Sequence, residues 1–197
     1  MNKQAFLLIL LLIYSIFYVS AQKNWYEIKS GKIYSTVNAG GIILQQEETF
    51  DDWGNKVAIE STMGKDTFEI KTRTVYGDKI MTMIKLEKKE AVQYPRVKPR
   101  INWNELTDEV QQKYKIRYMG RVELKGYKCD LYKYTIEDNG REEEATNWVY
   151  KGIPIQYHTF NNGYELKQEF LKIDENPIID KNIFIIPKDI TLKQLQQ

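Results

Sequence analysis

Residues Gly120–Phe160, GRVELKGYKCDLYKYTIEDNGREEEATNWVYKGIPIQYHTF, decide the fold. Two long β-forming runs, Arg121–Glu137 and Glu144–Phe160, flank the turn Asp138-Asn139-Gly140. Asn-Gly between such runs marks a hairpin, because both residues accept the positive φ that a primed turn needs. Alternation shifts inside the first run. Tyr127, Cys129 and Leu131 share one face, and Tyr132, Tyr134 and Ile136 then share the other. Such a shift requires a bulge, or a strand covered on both faces. It predicts a bulge or strong bend near Leu131–Tyr132.

Ahead of this hairpin the chain reads as an antiparallel meander. The expected strands are Trp25–Asn38 with a kink at Gly31, then Ile42–Phe50, Lys56–Met63, Thr67–Tyr76 and Lys79–Tyr94. Ala39-Gly40-Gly41, Asp51–Asn55, Gly64-Lys65-Asp66 and Gly77-Asp78 separate them. In the last of these strands Ile80, Thr82, Ile84 and Leu86 share one face, and Met81 and Met83 the other. Pro95 and Pro99 then stop strand pairing.

A helix is predicted over Asn104–Ile116. Asn102 or Asn104 can cap it, acidic residues stand near its start, and Lys113 and Lys115 near its end. Trp103, Leu106, Val110 and Tyr114 form one apolar stripe, so the helix is expected to lie across a sheet face. After the hairpin come a strand at Tyr164–Ile173 and a last apolar segment at Ile178–Ile186. The fold class is mainly β (α+β).

Residues 1–21 carry Lys3, an apolar run from Ala5 to Val19 and the small residues of Val19-Ser20-Ala21. That pattern predicts a signal peptide cleaved after Ala21, and therefore a periplasmic or secreted protein. No Cys stands at the junction to take a lipid. The remaining 176 residues, 22–197, show no repeat or linker and read as one domain. They hold 28 Lys and Arg against 27 Asp and Glu, a balance that gives no attraction to nucleic acid.

Catalytic chemistry finds little footing. His158 and Cys129 are the only residues of their types, and they stand out of register about the Asn139-Gly140 turn. No metal site or cofactor is expected from one His and one Cys. There is no phosphate loop and no nucleophile elbow. Glu142-Glu143-Glu144 reads as a solvated hairpin mouth, because successive strand residues point to opposite faces. Arg96, Lys98 and Arg100 lie in the proline-held loop, and one reading places them on anionic lipid head groups. Trp25, Trp53, Trp103 and Trp148 suit core packing, with Trp53 expected to be exposed in its turn; a sugar-stacking surface is the weaker reading.

The second half of the chain resembles the LolA-like superfamily of exported lipoprotein-localisation carriers. The resemblance rests on Gly126-Tyr127-Lys128-Cys129, on Trp148-Val149-Tyr150-Lys151-Gly152-Ile153-Pro154-Ile155, and on Ile178-Ile179-Asp180 with Phe184-x-Ile186-Pro187-Lys188-Asp189. It implies a curved antiparallel sheet forming an incomplete barrel, with one or more helices covering the concave face. It also implies an apolar interior that receives acyl chains. Phe68, Ile70, Ile84, Trp148 and Ile155 would line that interior, and Trp103, Leu106, Val110 and Tyr114 would form its lid. The expected function is a non-enzymatic protein binding a lipid or lipid-anchored ligand. The alternative is a cell-envelope interaction module with a protein partner and no lipid.

Overall fold

The computed structural model describes residues 24–65, 68–96, 100–138, 140–161 and 163–194. The expected signal peptide lies outside them. The chain runs through β1 (Gly31–Ala39), β2 (Ile42–Asp51), β3 (Lys56–Lys65), β4 (Phe68–Tyr76), β5 (Ile80–Lys85) and β6 (Glu90–Pro95). After α1 (Asp108–Lys113) follow β7 (Arg117–Leu124), β8 (Tyr127–Asp138), β9 (Arg141–Tyr150), β10 (Ile153–Asn161), β11 (Tyr164–Glu175) and β12 (Thr191–Gln194). All of these strands join one sheet in the order β12-β6-β5-β4-β3-β2-β1-β11-β10-β9-β8-β7. Neighbours pair antiparallel, except that β12 runs parallel to β6.

Each long run of the Asn139-Gly140 hairpin is itself a hairpin. Lys125-Gly126 divides β7 from β8, with φ of +50° and +85°, and Lys151-Gly152 divides β9 from β10, with φ of +49° and +76°. The run expected as one strand over Lys79–Tyr94 likewise folds back at Leu86–Lys89, where Lys89 has φ +51°. In all three turns a lysine takes a backbone region that side chains seldom adopt. The first strand begins at Gly31 and not at Trp25. Residues 25–30 cross the end of the sheet, and the Trp25 and Tyr26 N–H groups donate to the Trp53 carbonyl at 3.0 and 3.1 Å. This grip leaves Trp53 half-buried where the sequence suggested exposure.

The helix is shorter than its apolar stripe. Thr107 caps it, its Oγ1 accepting from the Val110 N–H at 3.3 Å, and Lys115 at φ +49° ends it. Trp103 and Leu106 therefore precede α1, and none of the α1 residues is buried. The Tyr114 carbonyl already accepts from the Thr135 N–H of β8, so α1 stands where β7 begins and not across the sheet.

The expected bulge falls in the partner strand. β7 slips register between Tyr118 and Gly120, opposite Leu131 and Tyr132, while β8 pairs with β9 without interruption from Asp130 to Asp138. β8 is instead covered on both faces. Cys129 is fully buried on one, and Trp103 packs on Tyr132 and Tyr134 on the other.

The sheet curls strongly. Tyr76 on β4 and Tyr157 on β10 are five strands apart, which is about 24 Å in a flat sheet. Yet Tyr157, pushed up to about 12 chiefly by burial, lies within electrostatic reach of Tyr134 and Tyr76, and the rings of Tyr127 on β8 and Phe170 on β11, three strands apart, meet at 5.1 Å. Strands this far apart along the sheet must face one another across a concave interior. Pairing places Ile33, Phe50, Val57, Tyr76, Tyr157 and Tyr132 on that inner face. The outer face over β2–β6 carries Thr49, Asp51, Ala58, Thr82, Ile84 and Ala91, all buried. The chain after β11 crosses this face. Lys181, in the 3-10 turn Lys181–Phe184, donates to the Asp51 carboxylate, and the segment ends as β12 beside β6.

Candidate functional site

Alternation builds the inner surface row by row, because paired residues on neighbouring strands lie on one face. At the closed end Phe50, Val57, Tyr76, Met81 and Tyr94 stand side by side across β2–β6. The next row holds Glu48, Ile59, Thr74, Met83 and Val92, and towards the open end lies Leu44-Met63-Ile70. Phe50 and Val57 are buried, whereas Ile59, Met63, Ile70, Met81, Met83 and Val92 remain half-exposed. Between these rows lies a polar one, Gln46, Ser61, Thr72 and Lys85, so the concave face is apolar in two patches and only partly covered. Methionine suits such a surface, since its flexible thioether side chain adapts to irregular apolar partners.

A polar cluster borders these rows at the closed end. Tyr26 donates its hydroxyl to Glu48 Oε1 at 3.3 Å. Burial raises the Glu48 carboxyl above the usual range, with Arg100 and Tyr26 acting in the opposite sense. The Arg100 guanidinium lies 4.5 Å from the Trp25 ring centre and 4.7 Å from that of Tyr26, and Nη1 donates to the Gly54 carbonyl. Arg96 sits 5.5 Å over the Tyr76 ring, its Nη1 donating to the Gly77 carbonyl at 3.3 Å. Burial, and then Arg100, lower its pKa. Tyr134 is pushed up to about 12 by burial.

These contacts redirect the proline-held loop. Arg96 and Arg100, read from sequence as membrane-facing, turn onto aromatic rings of the molecule, while Lys98 lies outside the described residues. The loop's covering residue is Trp103. It is buried, with its ring 5.1 Å from Tyr132 and 5.5 Å from Tyr134.

The other expected lining residues disperse. Ile70 is on the inner face, and Phe68 opens β4 with its side chain outside the described residues. Ile84 pairs with Arg73 and Ala91 on the outer face, where it is fully buried. Trp148 alternates with the buried Asn147 and Val149 along β9 and packs, half-buried, on the main apolar cluster that holds Ile33, Phe50 and Val57. Ile155, at the register slip between Pro154 and Gln156, is fully buried in that same cluster. Leu106, Val110 and Tyr114 are half-buried near the β7 edge.

The nucleophile and base candidates do not meet. Cys129 lies level with Tyr150 along β9, while His158 pairs with Thr146, about 13 Å away along the strand. Burial pushes the Cys129 thiol up to about 11, and His158 Nε2 is 2.9 Å from Glu165. Glu142 pairs with Lys115, and Glu144 with Lys133 and Arg117. Among the described residues no three His, Cys, Asp or Glu side chains stand close enough to hold a metal ion. A separate open cavity of about 340 Å³ is lined by polar groups including Tyr34, Glu47, Glu60, Thr62 and Lys71.

No protein-family model matches the chain, and no curated protein matches it by sequence. Among solved structures it is similar to an uncharacterized conserved protein from Thermus thermophilus. That match has a TM-score of 0.56 at 12% identity and covers 85% of this chain and 91% of that one. It establishes the fold. A putative outer membrane lipoprotein-sorting protein domain from Vibrio parahaemolyticus is also similar, with a TM-score of 0.41 at 6% identity, covering 83% of this chain and 91% of that one. So is the lipoprotein LppX from Mycobacterium tuberculosis, with a TM-score of 0.42 at 12% identity, covering 78% and 90%.

Proposed function

We propose that this chain is an exported, non-catalytic binding protein of the cell envelope. It holds the acyl part of a lipid or lipid-anchored ligand against the concave face of its half-barrel. One observation carries this reading: among the described residues Ile59, Met63, Ile70, Met81 and Met83 stand half-exposed on the inner face, while Trp103 covers the Tyr132–Tyr134 side. Each methylene seated there contributes about 0.8 kcal/mol. Glu48, Tyr76 and Arg96 border the rows and suit the polar end of an amphiphile. The apolar run at 5–19, with its small-residue junction, supports export. Lipid extraction of the purified protein, followed by mass spectrometry, tests the reading. A stoichiometric lipid, lost in Met83→Asp, is expected; lipid-free protein of unchanged stability would overturn it.

A second reading, an envelope interaction module without a lipid, is favoured by the sheet edge. β7 ends the sheet and exposes Tyr118 and Met119 beside its bulge. An unpaired edge can accept an extended segment of another protein. Cross-linking from Met119 to one stoichiometric partner would support this reading.

A further inference from the structure

One rim of the half-barrel carries an apolar projection made by two adjoining hairpin tips. β1–β2 turns at Gly40-Gly41, and beside it β10 ends at Asn161 and β11 starts at Tyr164. The tips are tied together, the Gly40 N–H donating to the Glu165 carbonyl at 3.0 Å. Ile42 is 55% exposed, Ile43 59%, Phe160 48% and Tyr164 69%. In a protein with 28% charged residues, no charge stands between Lys32 and Glu47, nor between His158 and Glu165.

The apolar groups face both ways. Ile42 and Ile43 are successive strand residues and point to opposite faces. Phe160 pairs with Glu165 and Tyr164 with Asn161, so these two rings also fall on opposite faces. A protein partner docking on one side would leave the other side's apolar groups in water. A medium that surrounds the projection covers both. The inner-face side also continues through Leu44 to Met63 and Ile70, without a charged residue on that path.

From this geometry we infer that the paired tips insert into the apolar layer of a lipid bilayer, with Ile42, Ile43, Phe160 and Tyr164 as the inserting groups. Insertion is driven by apolar burial and not by attraction to anionic head groups. It therefore persists on neutral lipid and resists salt. Insertion needs no ligand in the interior, so vesicle binding and lipid carriage are separately measurable.

The test places an environment-sensitive dye on single introduced thiols, Ile43→Cys, Tyr164→Cys and, at the opposite end, Glu105→Cys. Cys129 is fully buried and leaves the introduced thiol as the reactive one. On phosphatidylcholine vesicles the dyes at 43 and 164 are expected to brighten and shift to the blue, and the dye at 105 to stay unchanged. Ile43→Ser with Tyr164→Ser should lower the partition coefficient about tenfold or more while thermal stability is retained. Silent dyes at 43 and 164 would overturn the inference, as would an equal response at 105. So would binding that requires phosphatidylglycerol and disappears in high salt. A response that needs no vesicles and follows dimer formation in sedimentation would also overturn it, assigning the tip to a second copy instead.

Discussion

Glu48 shows how a single half-buried group sets a pH dependence. Its carboxyl faces the interior beside Tyr26 and Arg100, and burial raises its pKa above that of the unfolded chain. The folded state therefore holds more protons between the unfolded value, about 4.3, and the raised folded one. The stability from this group is fully present below the unfolded value and is lost as pH rises through the folded value. Glu48→Gln keeps the size and removes the desolvated charge. It should stabilise the protein on the order of 1 kcal/mol at neutral pH and flatten the pH dependence of urea unfolding. An unchanged slope would place the carboxyl in water. Gly152 makes a steric counterpart. A Cβ there would overlap the Asn104 side-chain amide, at a φ of +76°. Gly152→Ala should cost about 2–3 kcal/mol by chemical denaturation, and Asn104→Ala in that background should recover only the steric part.

At the scale of elements, cover comes from an irregular segment. Trp103 lies ahead of α1, and its contacts with Tyr132 and Tyr134 hold the 100–107 stretch on the inner face. Trp103→Ala should cost about 3–5 kcal/mol and increase dye binding to the interior, read by denaturation and fluorescence. Unchanged stability would mean that the ring is not packed as described. The sequence identified Trp103 as covering but placed it on a helix, because the apolar stripe continues through the Thr107 cap. Strands were legible wherever Gly, Asn and alternation agreed, as at Asn139-Gly140. They were not at Leu86–Lys89, where lysine carries no turn signal, nor at Lys125-Gly126 and Lys151-Gly152, where a lone glycine inside a long β-forming run was the only one. Alternation separated Met81 and Met83 from Ile80 and Ile84 but could not say which set faces inward. Ile84 is buried on the outer face, the side the C-terminal chain crosses, and the methionines are left for the interior. Arg96 and Arg100 misled for a similar reason: a basic loop looks solvated until aromatic partners close over it.

For the whole molecule, one curled sheet carries two apolar surfaces with different fates. The outer one, over β2–β6, is sealed by the C-terminal segment, with Lys181 on Asp51 as its latch. The inner one stays half-open between Trp103 and the uncharged rim of Ile42 and Tyr164. Apolar groups left open to water mark a place where something can bind, so the unsealed patches are where an occupant is sought. We take that occupant to be a lipid tail. Native mass spectrometry of the protein purified from its cell envelope without detergent tests this most directly. The expected spectrum shows a lipid-sized adduct near one per chain, absent in Met83→Asp of equal stability. A bare polypeptide mass in the wild type, or an adduct that persists in Met83→Asp, would contradict the account.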